Sequence, residues 1–237
     1  MKIRSIRVHG DPVLGDISME LSTKNGVRDV VLVSGDNGSG KSLLMSIISE
    51  AFMWGMHPPG HLKEFKLPFS AKLISVEFEV EEEVHAVNIR QGRVEPNLRL
   101  SKVVGEISGS MDSGKHIVLS YMPSRSSWAA SLGGVWEAQE GGLSAALPII
   151  NDLMKKDFRE CVIVVDDIDL GLSTKNTLAL FKYVQEQSLS RGCQLICSSR
   201  SPVLVQNLPK TSIVQLEGGF DIVEAVSQAT STSLPSK

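Results

Sequence analysis

Apolar side chains alternate with polar ones near the start of the chain. The alternation runs over residues 3–8, and it resumes over residues 17–21 after a turn at Asp11-Pro12. A period of two places successive side chains on opposite faces of an extended backbone. Two short strands, each with one buried face, are therefore predicted for the beginning of the chain.

Farther along, several short segments are apolar at almost every position and rich in β-branched residues. Strands of this kind are typical of a parallel sheet that is covered on both faces. Two further apolar segments near the end of the chain are expected to complete that sheet. In chain order, the five segments are residues 29–34, 161–165, 194–198, 213–216 and 222–226.

Apolar residues recur at helical spacing in three segments that lie between these strands. The first helix is expected to start at a glycine loop and to end before Gly55, and the second is expected over residues 144–156, where Pro148 could kink it. The third begins after Ser173, a suitable N-cap, and ends at Gly192. Alternating strands and helices predict an α/β fold with a mainly parallel sheet flanked by helices.

Two internal segments interrupt this alternation. Residues 71–104 alternate apolar and polar positions and turn at Gln91-Gly92, which predicts an antiparallel β meander inserted between the loop helix and the rest of the sheet. Residues 105–142 are rich in Gly and Ser and are expected to be mostly loop. We predict one domain over residues 1–226, followed by a disordered tail over residues 227–237.

Composition limits the possible classes of function. The net charge is −3 and the isoelectric point is near 6.0, so no global positive field is available to attract nucleic acid. The sequence has no apolar run of membrane-spanning length and no secretory leader, and we expect a cytoplasmic protein without a membrane segment. The three cysteines, Cys161, Cys193 and Cys197, are expected to be buried free thiols.

The loop between the first buried strand and the first helix matches the pattern G-x-x-x-x-G-K-[ST]. In that context the pattern predicts a P-loop, or Walker A motif, whose backbone N–H groups converge on the phosphates of a nucleotide. Lys41 would bring its charge to the β and γ phosphates, and the hydroxyl of Ser42 would bind Mg²⁺. The residues predicted to bind the nucleotide are Gly35, Asp36, Asn37, Gly38, Ser39, Gly40, Lys41 and Ser42.

A second motif, typical of a Walker B strand, is an apolar run that ends in two carboxylates. Asp166 and Asp167 follow the strand over residues 161–165. Asp166 would hold Mg²⁺, and Asp167 would polarise the attacking water. Carboxylates after a strand are often only a solvated turn, so the glycine loop upstream is what favours the functional interpretation.

Together these motifs resemble the ABC-type ATPases of the branch that contains RecF, SMC and OLD proteins. Residues 36–42 are similar to the "NGSGKS" loop of that branch, residues 166–172 to its "D-E-x-E-x-G-L-H" motif, and residues 198–202 to its "T-T-H-S-P" motif. The resemblance covers the core over residues 1–55 and 140–220, without the long coiled coil of SMC proteins. It implies a Mg²⁺-dependent ATPase with a P-loop NTPase core.

Several positions depart from the pattern of this branch. Asp167 replaces the usual catalytic Glu, Arg200 replaces the His that senses the γ-phosphate, and Ser173 replaces the His of "G-L-H". Gln91 is not assigned as the glutamine of the Q-loop, because Gln91-Gly92 is typical of a hairpin turn. Arg200 is expected either to contact the γ-phosphate or only to pair with a nearby carboxylate such as Asp167 or Asp169.

The family's signature sequence, which contacts ATP held by a partner subunit, has no intact counterpart. The best candidate is the degenerate stretch over residues 139–144, where Gly141 and Gly142 would face that ATP. An ordinary turn at the start of a helix is an equally simple interpretation. The resemblance otherwise implies a head-to-tail homodimer when ATP is bound, with hydrolysis releasing it.

Two alternatives to a dimerising ATPase that acts on a partner protein remain open. The chain could be a nucleotide-gated binding subunit with little turnover, which Asp167 and Arg200 favour, or the ATPase subunit of a membrane transporter. A role in DNA processing or genome defence rests on the resemblance alone, because the net charge neither requires nor excludes DNA binding.

Overall fold

The computed structural model describes six segments of the chain: residues 1–56, 70–91, 93–95, 118–121, 143–155 and 158–216. The strands, numbered in chain order, are β1 (Lys2–Asp11), β2 (Gly15–Glu20), β3 (Ser22–Thr23), β4 (Gly26–Val27), β5 (Val30–Ser34), β6 (Leu73–Val80), β7 (Glu83–Arg90), β8 (Arg93–Glu95), β9 (Val118–Tyr121), β10 (Val162–Val165), β11 (Gln194–Ser199) and β12 (Ile213–Gln215). The helices are α1 (Lys41–Met56), α2 (Leu143–Lys155), α3 (Thr174–Ser190) and α4 (Pro202–Asn207), with a short 3₁₀ helix at Lys210–Ser212.

A five-stranded parallel sheet forms the centre of the described fold. Its order is β12-β5-β11-β10-β9, and each neighbouring pair is parallel. Strands β5, β10 and β11 are buried at every position, which explains their continuous apolar runs. Because parallel strands share one direction, the residues that follow β5, β10 and β11 meet at the same edge of the sheet.

A second sheet of five strands is antiparallel, in the order β2-β1-β6-β7-β8. The period of two on β6 buries alternate residues from Ile74 to Val80, and the same face continues into β1 through the pairs Ile6↔Val76 and Val8↔Ile74. The meander predicted over residues 71–104 is therefore present where the structure describes it. It adds to the two N-terminal strands and completes one sheet with them.

Helix α1 packs between the two sheets. Its buried apolar residues, Leu44, Met45, Ile47, Ile48 and Ala51, share one apolar core with β1, β6 and β7 on one side and β5, β10 and β11 on the other. A second core on the opposite face of the parallel sheet is closed by α2, α3 and α4. The described elements thus form layers of antiparallel sheet, helix, parallel sheet and helices around two contiguous cores.

Most predicted elements occur where the pattern placed them. Helix α2 spans Leu143–Lys155 and includes Pro148, and α3 begins after Ser173, whose Oγ accepts a hydrogen bond from Asn176 N at 3.4 Å. Gly192 follows α3 with φ of +65°. Helix α1 runs through Gly55 to Met56 rather than ending before Gly55.

The expectation of mostly loop over residues 105–142 misses strand β9, which pairs with β10 at the edge of the parallel sheet. Helix α4 was also not predicted, because six residues are too few to establish a helical period. The predicted strand over residues 222–226 and the tail over 227–237 lie outside the described residues. The single domain over residues 1–226 remains a prediction, which the core shared by both sheets and α1 supports.

Within the described segments, no helix combines the length and the apolar character needed to cross a membrane.

Candidate nucleotide-binding site

The glycine loop begins where the buried strand β5 ends and leads directly into α1. Gly38 and Gly40 adopt φ values of +80° and +89°, a region of backbone conformation that residues with a Cβ rarely occupy. Ser39 N donates to Asp36 O at 3.2 Å, and Leu44 N donates to Gly40 O at 2.8 Å, which begins the hydrogen bonding of α1. The loop is therefore wrapped tightly around the N-terminus of a helix, where N–H groups converge.

The turn between β1 and β2 lies against this loop. A Cβ built on Gly40 would lie 2.3 Å from Leu14 Cδ2 and 3.1 Å from Leu14 Cγ. Asp11 fixes the turn, because its Oδ1 accepts hydrogen bonds from Val13 N and Leu14 N, both at 2.9 Å. Gly40 is thus required by close packing as well as by its backbone conformation.

The side chain of Lys41 is buried at the start of α1 and folds back over the loop. Its Nζ donates to Gly35 O and to Asp36 O, each at 2.7 Å, and lies 3.5 Å from Ser39 Oγ. Burial lowers the pKa of Lys41, while the negative charge of Asp167 acts in the opposite direction. The loop thus holds a largely desolvated positive charge close to the carboxylates that follow β10.

Ser198 orients the first of those carboxylates. Asp166 is buried, and its Oδ1 accepts a hydrogen bond of 2.6 Å from Ser198 Oγ on the neighbouring strand β11. The same hydroxyl accepts a hydrogen bond of 2.8 Å from Asp167 N. The register makes this possible, because Val165 lies opposite Cys197 and the following residues are then adjacent. The other oxygen, Asp166 Oδ2, is buried without a hydrogen-bond partner.

Asp167 takes an unusual backbone conformation for a residue with a side chain, with φ of +47°. Burial raises its pKa above the ordinary value of 3.8, the negative charge of Asp166 raises it further, and Arg200 opposes both effects. A strained backbone held in place by its neighbours is a feature that clusters at functional sites. Here Ser198 supplies part of that restraint through Asp167 N.

Arg200 follows β11 and reaches the glycine loop. Its Nη1 donates to Asn37 Oδ1 at 2.9 Å, and both side chains are exposed. Among the ion pairs of the described residues, none joins Arg200 to Asp167 or to Asp169. The described contact is with a neutral side chain of the loop and is not the expected pairing with Asp167 or Asp169. Contact of Arg200 with the γ-phosphate stays a prediction.

Other candidate residues fall in different places. Ser42 lies at the start of α1 and is partly exposed. Gln91 has φ of +48° in the turn after β7, as expected for a hairpin residue. Gly141 and Gly142, the candidates for contact with a partner's ATP, lie outside the described residues. Their assignment stays a prediction.

Sequence reasoning missed two contributors to this site. Ser198 was noted only as part of a family motif, although a polar residue at the carboxyl end of the strand next to Asp166 is the signal that could have found it. Leu14 could not be found in this way, because its contact with Gly40 depends on how the antiparallel sheet packs on α1.

A glycine loop that joins a buried parallel strand to a helix, with a lysine at the first helical position, defines a P-loop NTPase fold. No protein-family model matches the sequence, and no curated protein matches it. Comparison with solved structures shows that the chain is similar to SMC head domains and to ATP-binding cassettes of ABC transporters.

Three of these structures illustrate the similarity. The SMC head domain from Thermotoga maritima is 17% identical with a TM-score of 0.47, covering 87% of this chain and 92% of that one. An SMC head bound to the C-winged helix domain of ScpA is 13% identical with a TM-score of 0.49, covering 94% and 99%. An ATP-binding cassette in its ADP conformation is 13% identical with a TM-score of 0.41, covering 96% of each chain. No residue role or activity follows from similarity at this level.

Proposed function

We propose that this chain binds ATP with Mg²⁺ on the glycine loop and hydrolyses it, as an ABC-type ATPase. The observation that carries the proposal is the arrangement of Asp166, which is buried at the edge where the loop also lies, with one oxygen fixed by Ser198 and the other unpartnered. Parallel strand direction brings the loop after β5 and the carboxylates after β10 to that same edge.

The donor atoms fit Mg²⁺. A buried carboxylate oxygen without a partner costs free energy, and Mg²⁺ prefers carboxylate and hydroxyl oxygens, usually with only one or two protein ligands besides phosphate and water. Asp166 and Ser42 would hold the ion. Within the described residues, no group of three or more His, Cys, Asp or Glu side chains is arranged to bind a metal ion by itself. When bound, Mg²⁺ neutralises charge on the phosphate oxygens.

The residues of the site would have separate roles in binding and hydrolysis. Backbone N–H groups of the loop and the N-terminus of α1 bind the phosphates, and Lys41 adds a charge-assisted contact. Asp167 orients the attacking water and accepts its proton. Burial of Asp167 raises its pKa, which suits that role, since a base whose pKa is closer to the working pH is a better proton acceptor. The restraint from Ser198 holds Asp167 in position for this step.

Nucleotide-driven dimerisation is part of the proposal. Two chains would pair head to tail, so that Gly141 and Gly142 of one chain cover ATP held by Lys41 and Ser42 of the other. Hydrolysis would release the pair, and a protein partner would use the change. A role in DNA processing or genome defence is compatible with this scheme, and the net charge of −3 means that DNA would require a local basic patch.

A second candidate is a nucleotide-gated binding subunit with little turnover. Two features of the sequence favour it: Asp167 is one methylene shorter than the usual Glu, and Arg200 stands where the family has the His that senses the γ-phosphate. A displaced carboxylate and a missing His would both reduce the activation of water. Single-turnover hydrolysis separates the candidates, because a gated subunit binds ATP with Mg²⁺ yet releases it intact.

Calorimetry with Lys41→Ala tests the proposed function. Loss of a charge-assisted contact costs about 1.5–3 kcal/mol, so the affinity for ATP with Mg²⁺ should fall about tenfold or more. Lys182→Ala removes an exposed lysine on α3 and serves as the matched control. Unchanged affinity in the Lys41 variant, with folding intact by circular dichroism, would rule out the site.

A further inference from the structure

Two of the three cysteines lie side by side at the end of the parallel sheet opposite the nucleotide site. Cys161 Sγ and Cys193 Sγ are 2.9 Å apart, and both residues are buried. They directly precede β10 and β11, whose paired residues Val162 and Gln194 are in register. Neighbouring strands lie about 4.7–4.9 Å apart, within the range of about 4.4–6.8 Å between Cα atoms that a disulfide spans.

The hydrogen bonds around the pair favour attack by one particular sulfur. Cys193 Sγ accepts from Cys161 N at 3.5 Å, and the two thiols share a hydrogen bond. The hydrogen bond from Cys161 lowers the pKa of Cys193, whereas the hydrogen bond with Cys193 and burial raise the pKa of Cys161. Cys193 is therefore the more readily ionised member, and the thiolate is the reactive form.

We propose that Cys161 and Cys193 are a site of reversible oxidation, at which hydrogen peroxide converts the two thiols into an intrachain disulfide. The residues that directly precede the cysteines, Glu160 and Gly192, are exposed, so peroxide would enter from the amino ends of the strands. A peroxide molecule is small enough to approach by a slight separation of these ends. The disulfide would join the strands that carry Asp166 and Arg200, at the end remote from both residues.

The chemistry balances in two steps. The Cys193 thiolate attacks one peroxide oxygen, the O–O bond breaks, and protonation of the departing oxygen gives water and a sulfenic acid. The Cys161 sulfur then attacks the Cys193 sulfur, the S–O bond breaks, and the departing hydroxide leaves as water with the Cys161 proton. Two thiols are oxidised and one peroxide is reduced to two waters. A dithiol reductant reverses the change by thiol–disulfide exchange.

Cys197 provides a matched control. It lies farther along β11, is fully buried, and its Sγ donates to Val31 O at 3.7 Å rather than to a thiol. Burial raises the pKa of Cys197. It should therefore stay reduced under conditions that oxidise the pair.

The test treats the full chain with hydrogen peroxide and counts free thiols after unfolding, with peptide mapping under non-reducing conditions. The wild type should retain one of its three thiols, a linked Cys161–Cys193 peptide should appear, and reductant should restore all three thiols. Cys197→Ser should form the same linked peptide. Cys161→Ser and Cys193→Ser should form none.

Three free thiols after treatment would overturn the proposal and leave the pair as inert core residues. A linkage that involves Cys197, or one between two chains, would also overturn it. The wild-type count and peptide map need no variant, so they decide the outcome even where a serine at a buried position impairs folding. The result is independent of nucleotide binding, because no residue of the glycine loop takes part.

Discussion

The hydroxyl of Ser198 donates a hydrogen bond of 2.6 Å to Asp166 Oδ1 and at the same time accepts one of 2.8 Å from Asp167 N. One side chain on β11 therefore positions both carboxylates that follow β10. It also leaves Asp166 Oδ2 as the oxygen available to a cation. Ser198 is in this sense a positioning residue, since it would act on Mg²⁺ and water only through Asp166 and Asp167.

Ser198→Ala should raise the Mg²⁺ concentration required for tight ATP binding. Groups that orient a metal ligand typically contribute about tenfold to a hundredfold in metal affinity, so a shift of that size is expected in a Mg²⁺ titration followed by calorimetry. Binding of ATP without Mg²⁺ should change little. That contrast distinguishes positioning of Asp166 from general damage to the site.

Ser199→Ala is the matched control for this titration. Ser199 is also buried on β11, but its Oγ accepts a hydrogen bond from Ser201 N at 2.9 Å, and no described hydrogen bond joins it to Asp166. Its variant should keep the wild-type dependence on Mg²⁺. Equal shifts in both variants would mean that the strand, and not the hydrogen bond to Asp166, controls the site.

Asp167→Asn should become more stable relative to the wild type as the pH rises. Burial raises the folded-state pKa of Asp167 above the ordinary value of 3.8, so the folded chain holds a proton that the unfolded chain has already lost. The free energy of unfolding of the wild type therefore decreases as the pH rises from 3.8 to the raised pKa of Asp167. Urea unfolding at several pH values, with the amide variant as reference, measures this difference.

Asp16→Asn should show the opposite trend and serves as the control. A hydrogen bond from Gly10 N lowers the pKa of Asp16, so the ionised form is favoured in the folded chain. The wild type should then lose stability relative to this variant as the pH falls through the lowered pKa. Because Asp16 is exposed, the effect will be small. If the stability difference from the wild type changed with pH in the same direction for both variants, the environments described for Asp167 and Asp16 would be wrong.

Asp167→Asn should also slow hydrolysis while ATP binding is kept. The amide preserves the shape of the side chain but cannot accept the proton from water, and a general base typically contributes about a hundredfold or more to the rate. An ATP-bound dimer should then accumulate, and sedimentation velocity would detect it. A monomer in every nucleotide state, for wild type and variant alike, would rule out the head-to-tail dimer.

The parallel sheet and its glycine loop could be predicted because their sequence signals are local. A strand buried on both faces is a continuous apolar run, as in β5, β10 and β11, and the loop requires Gly, Lys and Ser at fixed spacing. Pairing between strands that are far apart in the sequence has no comparable local signal. The contribution of β1 and β2 to the sheet of the meander was therefore missed, although each strand was found.

The turn between β6 and β7 shows the same limit on a smaller scale. Glu81 and Glu82 adopt φ values of +50° and +68° without the Gly or Asn that usually marks such a hairpin. The strong pairing of β6 with β7 on either side overrides the local preference. Similarly, the proximity of Ser198 to Asp166, of Leu14 to Gly40 and of Cys161 to Cys193 depends on strand register and packing, which composition does not encode.

Arg200→Ala should weaken the binding or turnover of ATP and spare ADP. Arg200 already lies at the glycine loop through Asn37, and its planar, permanently charged guanidinium suits phosphate oxygens. We expect it to exchange the neutral Asn37 oxygen for the γ-phosphate when ATP is bound, because a hydrogen bond between charged groups is the stronger one. Its loss should cost about tenfold in ATP affinity or rate.

Two further variants make this prediction specific. Asn37→Ala removes the partner that holds Arg200 in the described structure, and it should leave the preference for ATP over ADP intact, since Arg200 remains free to reach the phosphate. Arg7→Ala removes an exposed arginine on β1 and controls for the change in net charge. If Arg200→Ala affects ATP and ADP equally, or neither, Arg200 is only a structural link between β11 and the loop. That result would strengthen the case for a nucleotide-gated binding subunit with little turnover.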